Sequence, residues 1–283
     1  DGVALSNARG AHGGSTAEWA ATVLLSIFRE IPQSVADQAV HTWRPRTTET
    51  LDGKRVLILG SGDLGTSLRI RLEPFGASVT MAARSPRAGI HGIDEVPGLL
   101  GKQDAVVVMV PYNAETHHLV DRDFLARMPD RAVLVNAARG PVVDTGALLA
   151  ELRRRRLRAA LDVTDPEPLP AGHPLWDAPG ILITPHIGGN TAGSAERAWA
   201  VAADQIAAYA AGQEPPNLVL AVLARGAIPG APRLPAAVLA GTVLARGDDP
   251  RNPPPPAAVP TGTPAAHPGR RPGLAGPVTN ACP

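Results

Sequence analysis

The chain has 283 residues, 44% of them apolar, and its 27 lysines and arginines nearly balance 26 aspartates and glutamates. That composition can bury one large core or two modest ones, and a net charge of +1 offers no basic surface to nucleic acid or polyanions. A single cysteine, Cys282, excludes an internal disulfide and fits a reducing, cytoplasmic setting.

The chain opens on Asp1 rather than Met, so its true start is expected to be missing. No signal-peptide pattern follows, and the longest apolar stretches, such as residues 20–28, fall far short of the ~20 residues of a membrane span. Residues 15–30 read as a helix: Ser15 and Glu18 match a capping box, and Ala21, Leu24, Leu25 and Phe28 recur at helical spacing. Pro32 sets a boundary, and a polar stretch runs on to about Thr50. Six apolar runs of strand length follow, at 55–59, 78–82, 105–110, 132–135, 159–163 and 181–184. Helix-like segments separate most of them, with Leu64, Leu68 and Leu72 on one face and Leu148, Leu149 and Leu152 on another. Continuous rather than alternating apolar strands predict a parallel sheet covered on both faces, so the fold class is α/β, doubly wound, of Rossmann type. A longer helix is predicted over 191–211, with Trp199, Ala202, Ala203 and Ile206 as its apolar stripe and Gly212 at its C-terminal cap. Residues 221–283 hold 14 of the 30 prolines and read as a disordered Pro/Ala/Gly-rich tail or a translated extension.

Gly60, Gly62 and Gly65, with Asp63 and Leu64 between the last two, sit between a strand and an amphipathic helix. In that context the first glycine permits a tight turn, the second lets a pyrophosphate reach the backbone, and the third lets helix and strand pack closely. The helix N-terminus then offers free N–H groups to the phosphates. An ordinary glycine-rich turn is the competing reading. An NAD-binding domain usually carries an acid at the end of its second strand, ~20 residues on. Here that position reads Arg84-Ser85-Pro86-Arg87, and Arg84, Ser85 and Arg87 suit a 2′-phosphate, which favours NADP while NAD stays possible. Other chemically capable residues gather at later strand ends: Arg139 after the fourth, Asp162 and Glu167 after the fifth, His186 after the sixth.

These blocks resemble the D-isomer-specific 2-hydroxyacid dehydrogenase family. The resemblance is carried by residues 60–65, 135–144 (VNAARGPVVD), 161–168 (LDVTDPEP), 174–176 (PLW) and 184–189 (TPHIGG), and runs from about Gly2 to Leu220. It implies hydride transfer between NAD(P)H and a small 2-oxo acid or D-2-hydroxy acid, with no metal. Arg139 would hold the substrate carboxylate, His186 would be the acid and base, and Glu167 would orient its imidazole. Asp162 would bond the nicotinamide carboxamide, while Val110, Pro111, Thr116, Ala138, His186 and Gly188 would line the cofactor. The Arg84-Ser85 pair resembles NADPH-preferring glyoxylate/hydroxypyruvate reductases. By the same likeness residues 1–12 are a hinge remnant of a truncated substrate domain, 13–190 the dinucleotide-binding domain and 191–220 a helix returning to the substrate domain. A homodimer is expected, since Trp19 and Phe28 would be unfavourably exposed in a monomer. A non-catalytic NAD(P)-sensing interaction protein and an inactive fragment remain the alternatives.

Overall fold

In the computed structural model, which describes residues 5–220, the apolar runs assemble into one seven-stranded parallel sheet. In chain order the elements are β1 (Leu5–Ser6), α1 (Gly13–Phe28), α2 (Ile31–Ala39), β2 (Arg55–Leu59), α3 (Asp63–Leu72), β3 (Ser78–Ala83), β4 (His91–Gly92), α4 (Val96–Leu99) and β5 (Ala105–Val108). They continue with α5 (Arg122–Arg127), β6 (Val133–Asn136), α6 (Thr145–Arg153), β7 (Arg158–Leu161), β8 (Ile181–Ile183), α7 (Ser194–Ala210) and β9 (Leu218–Leu220). The large sheet runs β4-β3-β2-β5-β6-β7-β8, while β1 and β9 form a separate antiparallel pair. All six expected strands are present; the short edge strand β4 is the addition to the large sheet, and β1 and β9 are further additions outside it. The expected tail at 221–283 and residues 1–4 of the expected hinge remnant lie outside the described residues.

The continuous strands have the two-sided burial that a parallel sheet demands. Leu57, Leu59, Val106, Val108 and Leu134 face one core with Leu125, Leu148 and Leu152. Val56, Ile58, Val107, Val133 and Val135 face the other with Ala17, Leu24, Leu68 and Leu72. A fully buried aliphatic side chain of this kind contributes about 1.5–3 kcal/mol. The chain passes from β2 outward to β4, then returns to β5 on the other side of β2. Strand order therefore reverses at β2, which opens a crevice beyond the carboxyl ends of β2 and β5.

Several local expectations change. The capping box is not made: α1 starts at Gly13 after His12, and the Ser15 hydroxyl donates to the His12 carbonyl (3.1 Å). Pro32 opens a second helix, α2, because proline needs no hydrogen-bond partner for its nitrogen in a first turn. Phe28 is 1% exposed, packed beneath Lys54 and Arg158, so it gives no reason for a partner. Arg156, at the end of the Arg153–Arg156 run, turns inward and donates to the Met128 carbonyl (2.6 Å), to the Leu125 carbonyl and to Glu151. The stripe on α7 faces outward: Trp199 is 74% and Ile206 56% exposed. The opposite side of α7 holds the N-terminal segment, with Gln205 Nε2 donating to the Asn7 carbonyl (2.9 Å) and Arg197 Nε to that of Ala11 (3.2 Å). Among the described residues no helix is long and apolar enough to cross a membrane.

Candidate active site

The glycine turn stands at the switch point. Gly60 has φ +116°, and a Cβ there would lie 2.5 Å from the Met109 carbonyl oxygen. A Cβ on Gly65 would fall 1.9 Å from the Gly60 oxygen, whereas a Cβ on Gly62 would meet nothing within 4 Å. The first and third glycines are thus demanded by the fold itself. The second borders open space, as expected where a pyrophosphate comes up to the backbone, and the residues here fit a dinucleotide. Asp63 is the first residue of α3, and its carboxylate packs against Gly13, where a Cβ would lie 1.8 Å from Oδ2.

Beside the turn lies a cavity of about 470 Å³. Leu64, Arg139, Asp162 and His186 line it, joined by His12, Thr16, Asn190 and Ser194, which sequence reasoning missed. Their signal was weak, since each became relevant only when α1 and α7 closed over the strand ends.

Asp162, 5% exposed, organises the wall that carries His186. Its Oδ1 accepts from Thr184 Oγ1 (2.6 Å) and the Ile187 amide (2.9 Å), and its Oδ2 from the Gly188 amide (2.8 Å). A carboxylate has about four acceptor positions, so one remains for a further donor. Gly188 is required here, because a Cβ would sit 2.8 Å from Oδ2. The His186 amide donates to the Asp162 (2.8 Å) and Thr184 (3.0 Å) carbonyls, and this holds His186 at φ +54°. A non-glycine residue in that region costs about 1–3 kcal/mol and persists only where its surroundings fix it. The His186 ring is half-exposed, with Nδ1 2.7 Å from Glu167 Oε1. Glu167 does not line the cavity; it reaches the imidazole from the loop after β7.

Arg139 is positioned by Asn136, a buried residue at the end of β6 to which sequence reasoning gave no role. Asn136 Nδ2 donates to the Arg139 carbonyl (3.0 Å), and its Oδ1 accepts from the Ala138 amide (3.0 Å). Gly140 follows, where a Cβ would stand 1.9 Å from the Thr164 oxygen, so the β6 and β7 loops interlock. The remaining expected residues, Arg84, Ser85, Arg87, Val110, Pro111 and Thr116, lie outside the cavity, at or beyond the ends of β3 and β5. Arg84 pairs with Glu115 (2.8 Å), and Arg87 donates to the Ser61 carbonyl (3.3 Å) and hydroxyl.

Residues 21–188 match the family model described as D-isomer specific 2-hydroxyacid dehydrogenase, NAD binding domain. The chain belongs to the D-isomer specific 2-hydroxyacid dehydrogenase family. Among its dehydrogenase relatives is a glyoxylate reductase from Thermofilum pendens, 32% identical over 233 residues, covering 77% of this chain and 68% of the relative. A D-3-phosphoglycerate dehydrogenase from Mycobacterium tuberculosis is 34% identical over 227 residues, covering 77% of this chain but 43% of the relative. A family structure from Xanthobacter autotrophicus, described as a complex with NADPH and MES, aligns with a TM-score of 0.71 at 33% identity. That alignment covers 78% of this chain and 93% of the other. The matched domain is thus one for a nicotinamide dinucleotide, NAD or NADP, in a family of oxidoreductases acting on 2-hydroxy acids.

Proposed function

We propose that this dehydrogenase reduces small 2-oxo acids with NADPH, in the manner of a glyoxylate or hydroxypyruvate reductase, and oxidises D-2-hydroxy acids in reverse. The observation that carries the reading is His186 Nδ1, 2.7 Å from Glu167, on a cavity shared with Arg139 at the switch point of the sheet. Residues 13–190 would hold the cofactor, with the hinge at 1–12 and 191–220 beside them; the pairing of β1 with β9 supports that grouping. Gly60, Gly62, Asp63, Leu64 and Gly65 would cradle the pyrophosphate, with Arg84, Ser85 and Arg87 toward a 2′-phosphate. Val110, Pro111, Thr116, Ala138, Asp162 and Gly188 would line the rest of the path.

When bound, a reduced nicotinamide dinucleotide would supply the hydride. Arg139 pairs its planar guanidinium with the substrate carboxylate and carbonyl oxygen. Glu167 accepts from Nδ1 of His186, which leaves Nε2 as the nitrogen turned to the substrate. Nε2 gives its proton to the carbonyl oxygen as the carbonyl carbon is reduced, and takes it back in the reverse direction. NADPH oxidation on adding glyoxylate or hydroxypyruvate tests the reading. His186→Ala should lower turnover by at least about a hundredfold and leave NADPH binding intact; undiminished activity would remove His186 from the mechanism.

A cytoplasmic homodimer completes the reading, with Ile31, Val35, Val40 and Trp43 in the interface rather than Phe28. These side chains are 48%, 59%, 69% and 94% exposed, which supports a partner surface. A monomer on gel filtration at micromolar concentration would contradict it. The exposed α7 stripe favours one alternative, a dinucleotide-sensing interaction protein. Partner capture that responds to NADPH, without turnover on a panel of 2-oxo acids, would select that alternative.

A further inference from the structure

We infer that Glu115, which the sequence does not flag, sets how strongly the site discriminates NADPH from NADH by holding Arg84 in competition with the 2′-phosphate. The inference rests on the NADPH reading above. Arg84 follows β3 and Glu115 belongs to the loop after β5, the two strands that flank β2. Their ion pair, Arg84 Nη2 to Glu115 Oε1 at 2.8 Å, therefore spans the crevice beyond the glycine turn, on the side where the adenosine half of a dinucleotide lies.

The Glu115 backbone is held at this place by its own loop. Asn113 Oδ1 accepts from the amides of Glu115 (2.9 Å) and Thr116 (3.1 Å). Thr116 Oγ1 in turn donates to the Pro111 carbonyl (2.8 Å) and accepts from the Asn113 amide (2.8 Å). Arg87 differs from Arg84, since its partners are the neutral carbonyl and hydroxyl of Ser61. Its charge is not offset by a carboxylate among the described ion pairs. One arginine thus has no carboxylate partner among the described ion pairs, and the other is already paired with one.

Two consequences follow for a 2′-phosphate arriving at Arg84. It must compete with Glu115 for the guanidinium, and its near-dianionic charge then stands beside a carboxylate. A ribose 2′-hydroxyl, being uncharged, suffers neither penalty. The pair is exposed, with side chains 79% and 58% accessible, so each contribution is small. Together they amount to a factor of about three to ten in NADPH affinity.

Direct titration tests this, with NADPH and NADH as probes and their fluorescence on binding as the readout. The full chain is compared as wild type, Glu115→Gln, Arg84→Ala and the double variant. The expected result is that Glu115→Gln tightens NADPH about three- to tenfold and changes NADH by less than about twofold. The gain should shrink at high salt and vanish in the Arg84→Ala background. If Arg84→Ala selectively weakens NADPH but Glu115→Gln leaves it unchanged or weaker, the NADPH reading stands and the role of Glu115 is overturned. If Arg84→Ala weakens NADPH no more than NADH, the NADPH reading itself fails, and the inference fails with it.

Discussion

Replacing Asp162 with asparagine preserves the shape of the residue and asks whether its carboxylate organises the His186 loop. The carboxylate accepts three hydrogen bonds in a nearly inaccessible setting, two of them from backbone amides. Asparagine has one oxygen and one NH2. With its oxygen toward Thr184 and Ile187, the NH2 meets the Gly188 amide donor to donor. Rotated the other way, the Thr184 hydroxyl can turn and accept, but the Ile187 amide then faces the NH2. Either orientation forfeits one charge-assisted backbone hydrogen bond and leaves a buried donor unpaired, a cost of about 2 kcal/mol. For a domain of this size, that lowers Tm by roughly 4 to 8 °C. Thermal unfolding followed by circular dichroism measures it, and hydrogen exchange should show faster exchange at the Ile187 or Gly188 amide. A Tm within about 1 °C of wild type would refute the assignment.

Two glycine substitutions should separate fold from ligand. Gly65→Ala places a Cβ 1.9 Å from the Gly60 oxygen, so urea denaturation should show a loss of about 3 kcal/mol or more, or no folded protein. Gly62→Ala meets no neighbour and has an ordinary φ of −80°, so Tm should hold while NADPH binding weakens by at least about tenfold; unchanged binding would remove Gly62 from the cofactor path. A third prediction concerns pH. Burial works to raise the Glu49 carboxyl, but Lys54, Arg158 and Arg131 outweigh it and hold Glu49 below its ordinary value of 4.5. A depressed carboxyl contributes stability that is complete above the unfolded value and is lost as pH falls through the folded one. Glu49→Gln should therefore be less stable at pH 7, by about 1 kcal/mol, with the gap closing near pH 3. A gap that widens on acidification would refute the linkage.

The sequence by itself determined the sheet and the identities of the candidate site residues. Runs such as 56–59 and 105–108 must be buried on both faces, and that requirement is local enough to read from consecutive apolar residues. The glycines at 60 and 65 are likewise fixed by the turn they make. Arg139, Asp162, Glu167 and His186 each follow a strand, and parallel strands in one sheet present their carboxyl ends at one edge. Their gathering could therefore be foreseen without a contact being known. Elements whose state depends on distant partners could not be read in this way. Whether Pro32 ends one helix or begins another depends on where the chain turns after Phe28. Burial of Phe28 needed Lys54 and Arg158 above it, and Arg156 was drawn inward by carbonyls 28 and 31 residues away.

At the site the tertiary structure decided which atoms meet. Asp162 lies between two and three dozen residues from the amides it receives, and Asn136 supports Arg139 only because the backbone bends back on it. His12 and Thr16 reach the cavity only through the packing of α1 beside the strand ends. Glu115 was invisible for the same reason: an acid in a loop gains meaning only from the arginine opposite, and that arginine is 31 residues away. The residue types came from the sequence, and their pairing came from the three-dimensional closure of the sheet.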